Sequence, residues 1–202
     1  MNLLFPLALV LLLRFRAAPR RQAQPKTARK QPVTTSGPQT YLDKLAILES
    51  GPNQPNWDSR RPRSQYWGRW QLGRLARNGP ANEPKAQWPA RRVSWDVFKA
   101  SPEIQTAAVT SWSKRAFREL QNSSLAKAAI QAGQAHGLPV TWSGLVGMDH
   151  LVGRGAVIKW LRTGEDTKDA NGTPGTRYLK TLNGADLSAW NIKPKTEAAT
   201  NA

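Results

Sequence analysis

The segment Tyr41-Leu42-Asp43-Lys44-Leu45-Ala46-Ile47-Leu48-Glu49-Ser50-Gly51-Pro52 predicts a helix over 41–50. Apolar residues and one acid recur at the spacing of a single helical face. The residues on this face are Leu42, Leu45, Ala46 and Glu49. Gly51-Pro52 ends the helix, because glycine favours a helix terminus and proline cannot continue it. The segment therefore places one carboxyl group on the apolar side of a helix, at its C-terminal end.

Glu49 is a candidate general acid. Burial and the negative end of the helix dipole both disfavour a negative charge, so a carboxyl group in this position tends to keep its proton. A group that holds its proton until a leaving oxygen needs it can act as a general acid. The alternative is a glutamate that points into solvent at a helix end, and one residue alone does not decide between the two.

The composition favours an anionic partner and argues against several kinds of site. The chain has 30 Lys and Arg against 13 Asp and Glu, a formal net charge of +17. Such a charge attracts nucleic acid, anionic lipid or the acidic polymers of a bacterial cell wall. There is no cysteine, which excludes disulfides, thiolate zinc sites and a cysteine nucleophile. With only His136 and His150 as histidines, we expect neither a metal site nor a cofactor.

Composition divides the chain into four segments. Residues 3–13 are apolar and a basic flank follows them, so 1–21 is interpreted as a hydrophobic anchor or an unusual signal. Residues 22–40 are rich in Gln, Pro, Thr and Ser and are predicted to be a disordered linker. We assign the folded domain to 41–190 and a polar tail to 191–202.

The anchor has an unusual charge order. By the positive-inside rule the basic flank after 3–13 would stay in the cytoplasm, which conflicts with an exported domain that has an ordinary anchor. Insertion into the membrane of a virus or phage would resolve the conflict. The basic flank could equally bind anionic lipid.

The domain itself is predicted to be mostly helical, with a short strand or hairpin edge over 65–71. One predicted helix start is Ser101-Pro102, where a capping serine is followed by proline at the first helical position. The predicted helices after this point run from Pro102 to about Leu120, from Ser124 to His136 with Gly137 as the stop, from Thr141 or Trp142 to Val152, and from Ala156 to Arg162 after an interruption at Gly153-Arg154-Gly155.

Four motifs occur in one order along the chain and together indicate a family. They are Glu49-Ser50-Gly51, then Gly68-Arg69-Trp70-Gln71 with its glutamine 22 residues after Glu49, then Val152-Gly153-Arg154-Gly155-Ala156-Val157, and finally Thr176-Arg177-Tyr178-Leu179. In this order they resemble the Glu-Ser, Gly-x-x-Gln, Ala-Gly-x-Gly and Thr-Arg-x-Tyr motifs of the lytic transglycosylase and goose-type lysozyme superfamily. The resemblance implies a mainly α (α+β), lysozyme-like fold with a short hairpin beside the catalytic cleft.

The resemblance also implies roles for individual residues. Glu49 would be the acid and then the base, Ser50 would support the loop after its helix, and Tyr178 would orient the carboxyl group. Gln71 would bind substrate or shape the groove.

Other groove positions are expected in the third motif and among the tryptophans. Gly153 and Gly155 would let the backbone approach a sugar closely. Several of the nine tryptophans, Trp70 among them, are expected to line a glycan groove. His150 and Leu151 stand where the family has Tyr and Asn; His150 could touch the glycan, although a structural role is the alternative.

The implied reaction is cleavage of peptidoglycan between N-acetylmuramic acid and N-acetylglucosamine, with closure of a 1,6-anhydro ring. This route uses a single carboxyl group, whereas hydrolysis by a lysozyme route generally needs two. Asp58 in the turn-rich loop is the candidate for the second, and a solvated loop residue is the alternative.

A binding module without catalysis remains the competing interpretation. A basic, tryptophan-rich domain could hold nucleic acid through phosphate contacts and stacking, or bind a membrane surface. Against it, basic residues in the domain are scattered rather than gathered in one stripe, so no specific nucleic acid is expected. The expected location is the cell envelope or a phage virion membrane.

Overall fold

The computed structural model describes residues 40–51, 57, 65–79, 87–88, 90–91 and 93–190, and over these residues the protein is mainly helical. The predictions for the anchor, for linker residues 22–39, for Asp58 and for the tail lie outside the described residues. No helix in the described part is long and apolar enough to cross a membrane. The helices are α1 Tyr41–Ser50, α2 Arg74–Asn78, α3 Trp95–Ala100, α4 Pro102–Gln121, α5 Ser124–Ala132, α6 Trp142–Val152, α7 Arg154–Thr163 and α8 Gly175–Leu182.

Helix α1 starts at a polar cap and is fixed to the other end of the domain. The Thr40 hydroxyl oxygen accepts from the Asp43 N–H at 3.3 Å, and the same hydroxyl donates to the Asp43 carboxylate at 2.7 Å. This reciprocal arrangement satisfies donors that a helix start leaves free. The Tyr41 N–H donates to the carbonyl of Asp186 at 3.2 Å. The first helix is thereby joined to the segment that follows α8.

Helix α6 is the centre of the core. Its residues from Ser143 to Asp149 are all buried, so it has no solvent face, as expected of a helix surrounded by others. Helix α8 packs closely against it at two glycines, since a Cβ built on Gly144 would lie 2.8 Å from the Leu179 carbonyl oxygen and one on Gly147 would lie 2.2 Å from a methyl carbon of Leu182. These glycines let the two backbones approach.

The structure corrects the predicted end of α5. The helix stops at Ala132, because Gly133 adopts the left-handed conformation with φ +67° and its N–H donates to Ile130. Residues Gln134–Ala135 and Leu138–Pro139 then form a two-stranded antiparallel hairpin. His136 and Gly137 form its turn with φ of +49° and +73°, the positive values that tight hairpin turns require.

Two other boundaries differ from the prediction. Helix α7 starts at Arg154 rather than at Ala156, so Gly153 alone separates it from α6. The predicted strand or hairpin edge at 65–71 contains a single antiparallel pairing, between Trp67 and Leu72, around a tight turn. We call residues 67–72 the Gln71 turn.

Replacing Gly144 by alanine tests the close packing of α6 on α8. The new Cβ would press on a backbone carbonyl that cannot rotate away, so we expect Gly144→Ala to lower the free energy of unfolding by about 1–3 kcal/mol. Gly155→Ala is the matched control, because a Cβ there meets no atom within 4 Å and alanine favours helices, for a gain of up to about 1 kcal/mol. Urea unfolding of both variants measures the difference; equal stabilities would contradict the packing argument.

Candidate active site

Glu49 lies near the C-terminus of α1 with its side chain 11% exposed. The helix ends because Gly51 takes φ +86° and its N–H donates to the Ile47 carbonyl. Leu45 and Ala46 on the same helix are buried, which turns the glutamate toward the interior. The carboxyl group is therefore enclosed on most sides, as the pattern of the first helix predicts.

Two side chains from other helices reach the same oxygen of Glu49. The Tyr178 hydroxyl of α8 donates to Oε1 at 2.8 Å. His150 of α6 brings Nε2 to 3.4 Å from Oε1, and its side chain is 7% exposed. Among the described residues no hydrogen bond is made to Oε2. Oε1 is thus held by the protein, and Oε2 accepts no hydrogen bond from the described residues.

Tyr178 is a constant donor to this carboxyl group. Burial raises the pKa of its hydroxyl above the ordinary tyrosine value, and the neighbouring charge and hydrogen bond of Glu49 raise it further. Its proton therefore stays on throughout the range in which proteins are folded. The pairing of Tyr178 with Glu49 that the resemblance implied is present in the structure.

The Gln71 turn is attached to the end of α1. The Ser50 hydroxyl donates to the Arg69 carbonyl, which matches the supporting role expected of Ser50. Gln71 has φ +46°, a left-handed conformation that is uncommon without glycine. Its side-chain amide donates to the Gly68 carbonyl at 2.9 Å, so Gln71 stabilises its own turn, and its role in substrate binding or in shaping a groove stays a prediction.

The prediction that Trp70 lines the groove is wrong. Trp70 is 3% exposed and belongs to the core, where its indole N–H donates to the Leu42 carbonyl at 2.9 Å. A ring with no free face cannot stack on a sugar. This hydrogen bond joins the Gln71 turn to α1.

Gln105 is a residue that sequence reasoning missed. It is 1% exposed in α4, and its Oε1 accepts from the Arg69 N–H at 3.0 Å. Its amide nitrogen donates to the carbonyls of Trp57 at 2.6 Å and Phe98 at 3.1 Å. A single buried amide thereby joins the Gln71 turn to Trp57 and to α3. Its position in the chain, inside a helix next to apolar residues, carries no signal of these long-range partners.

The junction of α6 and α7 is open above its glycines. Gly153 has φ +79°, and its N–H donates to the Asp149 carbonyl at 2.9 Å. A Cβ built on Gly153 or Gly155 would meet no atom within 4 Å, so a ligand could approach the backbone there as the resemblance implied. The positive φ alone already accounts for glycine at position 153.

A partly buried ion-pair network joins this junction to α4. Asp149 is 5% exposed and accepts from Arg154 at 3.3 Å. Arg154 also contacts Glu119 at 2.5 Å, and Glu119 pairs with Arg115 at 2.6 Å. Burial raises the pKa of the Asp149 carboxyl above its usual range, and the charge of Arg154 offsets part of that rise.

The loop before α8 is held by side-chain caps. Asp166 accepts from the backbone N–H and the hydroxyl of Thr176, and Asp169 accepts from the N–H groups of Asn171 and Thr173. These bonds form a turn before α8 and fix the start of the helix that carries Tyr178. The described residues contain no group of three or more His, Cys, Asp or Glu side chains that could hold a metal ion.

Comparison with protein-family models, curated proteins and solved structures finds no match to this chain. The family resemblance therefore depends on the four ordered motifs, and the geometry around Glu49 is an independent observation.

Substituting Gln105 tests the support of the Gln71 turn. Gln105→Leu leaves the Arg69 N–H and at least two buried carbonyls without their partner, so we expect a loss of about 2–4 kcal/mol in the free energy of unfolding. Gln131→Leu on the exposed side of α5 is the matched control and should stay within about 0.5 kcal/mol of wild type. Similar stabilities for the two variants would show that Gln105 is not the connecting residue.

Asp149→Asn tests the partly buried network through the pH dependence of stability. Because the pKa of Asp149 is raised in the folded state, folding favours its protonated form. Wild type should therefore lose stability relative to Asp149→Asn as the pH rises above about 4. Urea unfolding between about pH 3 and about pH 7 measures this difference.

Asp186→Asn is the control, because the stability difference between wild type and this variant should change with pH in the opposite direction. Hydrogen bonds from the Ser188 backbone and hydroxyl lower the pKa of Asp186, so its contribution is present at neutral pH and is lost as the pH falls below about 4. A difference that changes in the same direction for both variants would contradict the roles assigned to the two carboxylates.

Proposed function

We propose that this protein cleaves the glycan strands of peptidoglycan as a lytic transglycosylase on a lysozyme-like fold, with Glu49 as its one essential acid. The observation that carries the proposal is the nearly buried Glu49 carboxyl, held through Oε1 by the Tyr178 hydroxyl. The four motifs support it because they occur in the family's order. The Ser50 bond to Arg69 adds support, since it brings the second motif to the end of the first.

The proposed reaction starts with proton transfer. Glu49 gives the proton on Oε2 to the oxygen that links N-acetylmuramic acid to N-acetylglucosamine, and the bond from the muramoyl anomeric carbon to that oxygen breaks. The acetamido oxygen of the muramoyl residue bonds to the anomeric carbon as the leaving sugar departs. Oε2 then takes the proton of the muramoyl 6-hydroxyl, whose oxygen displaces the acetamido oxygen and closes the 1,6-anhydro ring. Glu49 ends protonated, and no water is consumed.

The surroundings of Glu49 suit these two steps. Low solvent exposure strengthens each electrostatic interaction with the reacting atoms and limits competing hydrolysis. Tyr178 donates to Oε1 whether Oε2 carries a proton or not, so the carboxyl group keeps its orientation as its charge changes. The open backbone at Gly153 and Gly155 is the proposed site for close approach of the glycan.

The charge of +17 fits a substrate with peptide carboxylates and a wall with attached anionic polymers. We propose a location in the cell envelope or in a phage virion membrane, with 3–13 as the anchor. There the protein would open the wall locally.

Glu49→Gln tests the proposal directly. The amide cannot donate and recover a proton as the acid does, so we expect activity on purified peptidoglycan to fall by about 10²–10⁴-fold. Glu103→Gln, an exposed acid on α4, is the matched control and should keep wild-type activity. A zymogram and turbidity clearing measure both. If Glu49→Gln clears peptidoglycan as fast as wild type, Glu49 is not the catalytic acid.

Mass spectrometry of the products separates the two possible routes. Anhydro-muramoyl ends indicate transglycosylation, and reducing ends indicate a lysozyme-type hydrolase on the same fold. If reducing ends are found, Asp58→Asn tests the second carboxylate. Salt-sensitive DNA binding without any muralytic activity would favour the binding module instead.

A further inference from the structure

We infer that His150 is a positioning residue for Glu49, and that its Nε2–H, with the Tyr178 hydroxyl, holds Oε1 so that Oε2 faces the substrate. The inference rests on the proposed function, because it assigns Glu49 the role of proton donor. It replaces the expectation that His150 touches the glycan.

The burial of His150 argues against a substrate contact. Its side chain is 7% exposed, less than the 11% of Glu49. It follows the wholly buried part of α6 that ends at Asp149. The ring nitrogen Nε2 lies 3.4 Å from Oε1 of Glu49. The imidazole therefore faces the carboxyl group from the protein interior.

The other ring nitrogen determines which tautomer fits. Nδ1 of His150 is buried and has no hydrogen-bond partner among the described residues. A buried N–H without an acceptor costs about 1–3 kcal/mol, whereas a proton on Nε2 faces the oxygen of Glu49. The tautomer with its proton on Nε2 is therefore the form that the site accommodates. In the other tautomer a lone pair would point toward Oε1 and the Nδ1 proton would have no partner.

With two donors on Oε1, the carboxyl group keeps one orientation both when it donates its proton and when it takes a proton back. With Oε2 protonated, Oε1 remains a carbonyl-type acceptor for Tyr178 and His150. After proton transfer, the same two donors stabilise the carboxylate. Neither donor has to move, so the distance from Oε2 to the glycosidic oxygen is preserved between steps. Misplacement of a catalytic group by about 1 Å can cost about 100-fold in rate.

The kinetic test compares two substitutions in the full-length protein. His150→Leu removes the donor and keeps an apolar side chain, while His150→Gln keeps an N–H near the position of Nε2. On soluble glycan-strand fragments of peptidoglycan, we expect His150→Leu to lower kcat by about 10–100-fold with KM changed less than about threefold. His150→Gln should recover most of kcat.

The kinetic outcomes separate the two assignments. A wild-type kcat in His150→Leu would overturn the inference and leave the proposed function intact, provided that Glu49→Gln is inactive. A raised KM with unchanged kcat would also overturn it and make His150 a substrate contact. Full activity of Glu49→Gln would remove the proposed function itself.

A spectroscopic test needs no activity and no folded His150 variant. The chain has two histidines, so long-range proton–nitrogen correlation spectra of the wild-type protein contain two ring patterns. We expect His150 to show the Nε2–H tautomer, and Glu49→Gln to shift its Nε2 signal. His136, whose Nε2 lies 3.2 Å from the Leu161 carbonyl oxygen, is the internal control and should not move. A proton on Nδ1 of His150, or a signal unaffected by Glu49→Gln, would contradict the inference.

Discussion

The hydrogen bond from the Tyr178 hydroxyl to Glu49 joins residues 129 positions apart, and the geometry of the site depends on it. It links the first and last helices of the domain directly across the packed core. The bond can form because α8 lies close to α6 at Gly144 and Gly147, which brings Tyr178 within reach of α1. The backbone hydrogen bond from the Tyr41 N–H to the Asp186 carbonyl joins the start of α1 to the segment after α8. Core packing thus determines where the carboxyl group points.

The segments around Glu49 are held by the buried Gln105 and the partly buried Ser50, whose side chains contact backbone. Gln105 gives one donor group and one acceptor to segments far apart in sequence, and Ser50 connects α1 to the Gln71 turn. Each of these groups would be costly to bury without partners, since an unsatisfied polar atom loses its water and gains nothing. The same requirement makes them specific, because only one arrangement of the turn satisfies them all. The proposed proton transfer would require surroundings of this kind, which keep their shape while the charge of Glu49 changes.

Local sequence patterns predicted α1, α4 and α6, did not predict α2 or α3, and gave little indication of the partners of buried groups. The first helix, the start of α4 at Pro102 and the span of α6 follow from spacing and caps, which act over a few residues. The end of α5 was missed because the prediction places Gly133 inside the helix and Gly137 at its stop, whereas Gly133 ends it in a left-handed conformation. Trp70 was misjudged because a tryptophan in a motif looks the same whether its ring is buried or exposed. The contacts of Gln105 and of Asp149 with Arg154 join separate segments, and nothing near either residue in sequence indicates them. The Tyr178 partner of Glu49 was found only through the family resemblance.

The chain is strongly basic, yet among the described residues no lysine or arginine forms an ion pair with Glu49. The arginines near the site are engaged elsewhere, Arg69 with Asp43 and Arg154 with Asp149 and Glu119. This separation has a chemical consequence. A cation beside Glu49 would stabilise the carboxylate and oppose proton donation, because an opposite charge within a few ångströms favours the ionised form. The uncharged Tyr178 hydroxyl favours the carboxylate less strongly than a cation in the same position would. Under the proposed function, the positive charge of the chain would attract an anionic wall, while no described lysine or arginine would hold Glu49 as a carboxylate.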